Sequence, residues 1–298
     1  MNAHSWPRQT SALVTASYSA DLERCRLLCE TVDRFVTGHD HHYLLVAAND
    51  VALFRQLEGP RRTVVSERDI LPRWLHDLPD PTSRFRRRIW LSTRTAPLRG
   101  WHVQQLRRIA IAAHVGEAAL IYCDSDVAFV RPFDCSAMWR GGDVRLFRRD
   151  DELSGPLLSN QMAWAQNAGR TLGLAGPGRH GYIATVIAWR RDAVVDMCRY
   201  IEQVGGRHWV AAIGATRQFS ECMIYGRYVD EVRGSGGHFH GSDELCHVRW
   251  FGGAPTEAEF RAFVDTMAPG QVAVGIQSFS GADTGMIRRL LDGPALQS

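Results

Sequence analysis

The segment from Gly100 to Asp126 constrains the chain more than any other. Trp101-His-Val-Gln-Gln-Leu-Arg-Arg-Ile-Ala-Ile-Ala-Ala-His-Val-Gly116 sets Val103, Leu106, Ala110 and Ala113 at helical spacing, with Gly116 as a natural C′ residue. Ala119 to Tyr122 then reads as a buried strand that stops at Cys123-Asp124-Ser125-Asp126, and Arg131-Pro132 ends the apolar run that follows. Helix, tight turn, strand and paired carboxylates, in that order, fit an open α/β sheet, whose ligands bind beyond the carboxyl ends of its strands. Two carboxylates one residue apart at such an end suit a hard divalent cation. Mg²⁺ and Mn²⁺ commonly bind through one or two carboxylates and leave the remaining positions to phosphate oxygens.

The N-terminal part supplies the rest of the sheet. Ala12 to Ala16, Tyr43 to Ala47 and Arg62 to Val65 read as strands. Between the first two, Asp21 caps a helix with Leu22, Cys25, Leu28, Val32 and Phe35 on one stripe, and a short helix runs from Val51 to Leu57. Such β-α-β-α-β order predicts parallel strands with right-handed crossovers. No glycine-rich fingerprint follows the first strand, which argues against a dinucleotide enzyme. Strands are expected at Val144 to Phe147, Tyr182 to Trp189 and Val272 to Ile276, and helices at Arg191 to Val204 and Ser220 to Val229. Thr256-Glu-Ala-Glu259 is a capping box opening a helix with Phe260, Phe263, Val264 and Met267 inward.

Leu71 to Gly100 holds four prolines before Gly100 and an arginine cluster from Arg84 to Arg99, and it reads as a long functional loop. All basic residues other than histidine are arginine. The net charge of +3 is too small to argue for nucleic-acid binding. Seven scattered cysteines read as reduced, mostly buried thiols. The first ten residues lack the apolar core of a signal peptide, and no apolar run is long enough to cross a bilayer, so a cytoplasmic protein without a transmembrane segment is expected.

Gly100-Trp-His-Val-Gln-Gln-Leu followed by Leu-Ile-Tyr-Cys-Asp-Ser-Asp resembles a bacterial branch of the GT-A class of nucleotide-sugar-dependent glycosyltransferases. The likeness runs from Ala12 to Ser278 and is most distinctive from Gly100 to Asp134. It implies a Rossmann-related, mostly parallel central sheet flanked by helices. Residues 1–134 would then form the donor half, and 135–298 a less regular acceptor half of the same domain. The donor would be a nucleoside-diphosphate sugar, the cofactor Mn²⁺ or Mg²⁺, and the acceptor a glycan or lipid-linked molecule in surface polysaccharide synthesis, with peripheral membrane association compatible.

Residue by residue, Asp126 would ligate the metal directly, with Asp124 reaching it through water or holding the ribose. Thr15, Ala16, Ser17 and Tyr18 at the first strand end and Asp50 at the second would hold the nucleoside. Gln105 and Arg108, with Ser125 between the carboxylates, would meet the rest of the donor. His247, beside Trp250, is the expected third metal ligand, with His240 as the alternative. Glu221, in Phe219-Ser220-Glu221, corresponds to the catalytic carboxylate of inverting members and would take the acceptor's proton. Two other classes compete. One is a nucleotide-sugar-binding protein without turnover. The other is an aspartate-dependent phosphohydrolase, whose pattern wants Thr or Val where Ala128 stands.

Overall fold

The computed structural model describes residues 9–155, 160–249, 253–276 and 283–292. The first residues, Trp250 and Ser278 lie outside that set. Strand β1 (Ser11–Ala16) is followed by helix α1 (Leu22–Phe35), β2 (His41–Val46) and β3 (Arg62–Ser66). On α1 the expected stripe is inward, with Cys25, Leu28 and Val32 buried against the sheet. A small sheet of β4 (His76–Pro79), β5 (Arg88–Leu91) and β6 (Leu98–Arg99) precedes α2 (Gly100–Ala110) and β7 (Ala119–Tyr122). Then come β8 (Val127–Phe129), β9 (Asp143–Phe147), β10 (Ile187–Arg190) and α3 (Arg191–Gly205).

The last part holds α4 (Glu221–Arg227), β11 (His238–Gly241), β12 (Cys246–Arg249), α5 (Glu257–Asp265), β13 (Ala273–Ile276) and α6 (Thr284–Asp292). The chain is α/β with mixed sheets. Its central sheet runs β10-β7-β1-β2-β3: β7, β1, β2 and β3 are mutually parallel, and β10 is antiparallel to β7. The inner parallel strands β1 and β7 are short and buried along their whole length, as strands covered on both sides must be, while β3 at the edge is polar at Arg62 and Thr63 and only half-buried.

Immediately after β7 the chain turns back through β8, which pairs antiparallel with β13, itself parallel to β12. The turn is closed by the Val127 N–H donating to the Asp124 carbonyl at 3.2 Å, and it presents Asp124 and Asp126 at the carboxyl edge of the central sheet. Among the described residues no helix is long and apolar enough to cross a membrane.

Three expectations change. The segment from Leu71 to Gly100 is not an irregular loop: it folds into the antiparallel sheet β4-β5-β6, anchored by inward Trp90 and Leu98. Pro79 and Pro81 flank the turn and do not prevent pairing, because they stand at the strand's end. The strand expected over Tyr182 to Trp189 forms only from Ile187, where pairing with β7 begins. The helix from Ser220 is α-helical to Arg227 and then widens into a π-helix, Tyr228–Val232.

Candidate functional site

Helix α2 brings Arg108 to the end of β7. Its last turn is tied there by the Tyr122 hydroxyl, which donates to the Arg108 carbonyl at 2.8 Å. The guanidinium lies over the rings of Tyr122 and Trp189, 4.9 and 5.8 Å from their centroids, on a floor extended by Tyr225 stacked against Trp189. Two carboxylates meet this cation. Arg108 Nη1 stands 3.0 Å from Glu221 Oε1 and 3.5 Å from Asp124 Oδ1. Burial works against the charge on Arg108, but Glu221 and Asp124 outweigh it and raise its pKa. Burial pushes the pKa of both carboxyls up, with Arg108 opposing the shift in each.

Exposure separates the two carboxylates. The Glu221 side chain is 6% exposed and that of Asp124 is 38% exposed, so solvent reaches the cluster from the Asp124 side. Arg108 keeps its Nε and Nη2 groups buried without a hydrogen-bond partner among the described residues. Two unsatisfied donors on a buried cation cost stability unless a water or ligand oxygen meets them. Glu221 is positioned by the start of α4, where Ser220 caps Met223 N–H at 3.4 Å. Gln105, one turn before Arg108 on α2, accepts the Glu221 backbone N–H at 3.0 Å. Gln105 thus holds the helix carrying Glu221, and its side chain is buried.

The other expected residues are distributed differently. Thr15 is fully buried and its hydroxyl meets His42 Nε2 at 3.1 Å and Cys123 Sγ at 3.2 Å, inside the sheet. Ala16 and Ser17 are buried as well. Tyr18, by contrast, is 48% exposed, and Asp50 lies next to it, accepting the Ser19 N–H at 3.0 Å. Of the nucleoside set, only Tyr18 and Asp50 stand at the surface. Ser125 is buried and hydrogen-bonds Asp21, which also takes Arg24 at 2.9 Å, so its hydroxyl fastens the turn to α1. Asp126 lines a shallow recess with Arg24, Leu27, Ala128, Thr284 and Ile287.

Neither histidine joins this cluster. His247 shares a row across three strands with Val274 and Ala128, and its ring stacks on Phe263 at 4.2 Å and meets Thr266 Oγ1 at 3.0 Å. That row faces α5, and the expectation of a third metal ligand finds no support in such a placement. His240 meets Asp230 Oδ1 at 2.8 Å and Arg148 Nη1 at 3.1 Å, at the end of β11. Among the described residues no three His, Cys, Asp or Glu side chains are grouped to hold a metal by themselves. Asp124 and Asp126 still offer hard oxygen donors, and they fit a divalent cation that takes its other ligands from water and phosphate.

Sequence reasoning missed the aromatic floor. Trp189 and Tyr225 come from β10 and α4, and only the meeting of those elements makes them neighbours of Arg108.

An α/β protein with a carboxylate–arginine–carboxylate cluster at the carboxyl end of a central strand is the class these features define. More particularly, the chain belongs to the family described as Family of unknown function (DUF6492), matched over residues 10–247. Among curated proteins none matches it.

Proposed function

We propose that the chain is a metal-dependent glycosyltransferase. It would move a sugar from a nucleoside-diphosphate sugar to a glycan or lipid-linked acceptor, in the making of bacterial surface polysaccharide. The observation that carries the reading is the meeting of Asp124, Arg108 and Glu221 at the end of β7, with Asp126 two residues on. A buried guanidinium with two unused donors suits an anionic ligand, and diphosphate is the anion that paired aspartates and a divalent cation also suit. Mn²⁺ or Mg²⁺ held by Asp124 and Asp126 would supply Lewis-acid stabilisation to the departing diphosphate. Tyr18 and Asp50, at neighbouring strand ends, would receive the nucleoside.

In this reading Glu221 takes the proton of the attacking acceptor hydroxyl. Burial, by raising its pKa, makes it a better base at neutral pH. A single displacement then inverts the anomeric centre. The deep burial of Glu221 favours one competing reading, in which it only anchors Arg108 and the chain binds nucleotide sugar without turnover.

One experiment addresses both. A panel of nucleotide sugars is assayed for nucleoside diphosphate release with and without Mn²⁺, and the product of any active donor is examined by proton NMR. Metal-dependent release, an inverted product and a fall in kcat of about 10²-fold in Glu221→Gln are expected. Binding of a nucleotide sugar by calorimetry without release from any donor would favour the non-catalytic reading, and a retained configuration would remove Glu221 from the role of base.

A further inference from the structure

The β4-β5-β6 sheet has two faces of opposite character. Antiparallel partners point to the same side, so Asp77 and Trp90 share one face with Leu98, and His76, Leu78, Ile89, Leu91 and Arg99 share the other. The first face is inward. Trp90 is buried and its indole N–H donates to Glu67 at 3.2 Å, while Leu98 is fully buried. The second face is turned outward although three of its residues are apolar: Leu78 is 45% exposed, Leu91 37%, and Ile89 is half-buried. A solvated sheet face normally carries polar residues at these positions.

The turn joining β4 to β5 carries the same signature. Phe85 is the most exposed large apolar residue described, at 69%. Arg84, Arg86 and Arg87 stand exposed beside it. The turn is built, not slack. Asp80 accepts from Thr82 N–H at 2.9 Å, its carbonyl accepts from Phe85 N–H at 3.0 Å, and Ser83 Oγ accepts from Arg87 N–H at 2.9 Å. These bonds hold Arg84 and Phe85 at φ values of 53° and 62°, a region bulky side chains rarely adopt. A strained aromatic held out in solvent contributes nothing to the fold that the hydrogen bonds do not already supply. Charge continues the pattern: from Pro81 to Gly116 the chain has eight arginines and no Asp or Glu.

We propose that this outward face, with Phe85 at its tip, docks on an anionic lipid bilayer. Phe85, Leu78, Ile89 and Leu91 enter the boundary between headgroups and acyl chains. Arg84, Arg86, Arg87 and Arg99 pair with lipid phosphates around them. Aromatic and aliphatic groups ringed by guanidinium match the layered chemistry of that interface, and the acids of the same element do not oppose it: Asp77 shares the face of Trp90 and pairs with Arg68 and Arg88, and Asp80 is buried in the turn. The inference stands whether or not the chain transfers a sugar, since its test reads no activity.

The test is co-sedimentation of the whole chain with vesicles of phosphatidylcholine alone and of phosphatidylcholine containing phosphatidylglycerol. Binding to the anionic vesicles only, weakened by added salt, is expected. Phe85→Ser should lower the partition by about 10-fold. The triple change Arg84→Gln, Arg86→Gln, Arg87→Gln should lower it by about 10²-fold, since each arginine near such a surface contributes about fivefold. Phe85→Gly separates docking from folding: it should lose binding like Phe85→Ser while its melting temperature holds or rises, because glycine accepts the positive φ. Equal binding to both vesicle types, no binding to either, or variants that partition like the parent would overturn the proposal. So would a concentration-dependent dimer in light scattering that Phe85→Ser abolishes, which would make the face an interface between copies of the chain.

Discussion

Arg108 faces two carboxylates with a single positive charge, so the ionised cluster of Asp124, Arg108 and Glu221 carries one negative charge in excess. Removing either carboxylate leaves a balanced pair, whereas removing the cation leaves two acids facing each other in a buried place. Arg108→Met is therefore expected to cost about 3 kcal/mol or more, the range for breaking a buried pair, while Glu221→Gln should shift stability little. Combining them should recover part of the loss, as a double-mutant cycle in urea would measure. A cost for Arg108→Met no larger than that of a surface change would mean that the three groups are not coupled. Asp124 was legible in the sequence, because an acid at a strand end is a local pattern, whereas Arg108 and Glu221 were named only through the family resemblance. The meeting of the three was not legible, since it joins three separate segments. Thr15 and Ser125 show the converse: a hydroxyl at a strand end looks available for ligand until His42 and Asp21 are seen to face it.

Elements place those residues, and helix caps decide how firmly. Ser220 and Thr256 both cap short helices through side-chain oxygens, Ser220 at the helix that carries Glu221 and Thr256 in a reciprocal capping box with Glu259 on a helix that carries none of the cluster's residues. Ser220→Ala and Thr256→Ala should each cost about 1 kcal/mol in the urea midpoint. Only the first should also weaken nucleotide binding measured by calorimetry, because freeing the Met223 N–H loosens the turn that aims Glu221 at Arg108. Equal binding in the two variants would detach the cap from the site. The strands of the parallel sheet and the capping box were readable, since apolar runs and the Thr-x-x-Glu pattern act locally. The small antiparallel sheet was not. Its apolar residues face outward as well as inward, and prolines with clustered arginines imitate an irregular loop.

At the scale of the molecule, the two halves share a sheet, since β10 from the second half forms an edge of the sheet built by the first. Two buried histidines hold this assembly in neutral form. Arg62 Nε donates to His42 Nδ1 at 3.1 Å, so His42 Nε2 carries the hydrogen and donates to Thr15. His238 Nδ1 faces the Gly236 carbonyl at 3.1 Å and donates to it, leaving Nε2 to accept from the Tyr225 hydroxyl at 2.7 Å, which in turn accepts the Arg190 N–H at 2.8 Å. A second proton on either ring would oppose a donor already in place. Burial lowers both pKa values, with Arg62 adding to the effect on His42 and Arg190 and Arg233 to that on His238, which falls to about 4. In the unfolded chain the same rings take a proton near pH 6.5. The unfolded state therefore binds more protons as pH falls. Stability from His238 is full above pH ~6.5 and is lost as pH drops toward ~4, by about 3 kcal/mol over the whole window. Asp124 and Glu221, with raised pKa values, act in the opposite sense and favour the fold as they are protonated. A variant isolates the histidine: His238→Gln keeps an acceptor for Tyr225 but cannot be protonated, so its urea midpoint should fall less steeply on acidification than that of the parent. Parallel profiles for the two proteins would show that His238 is not among the groups through which acid unfolds this chain.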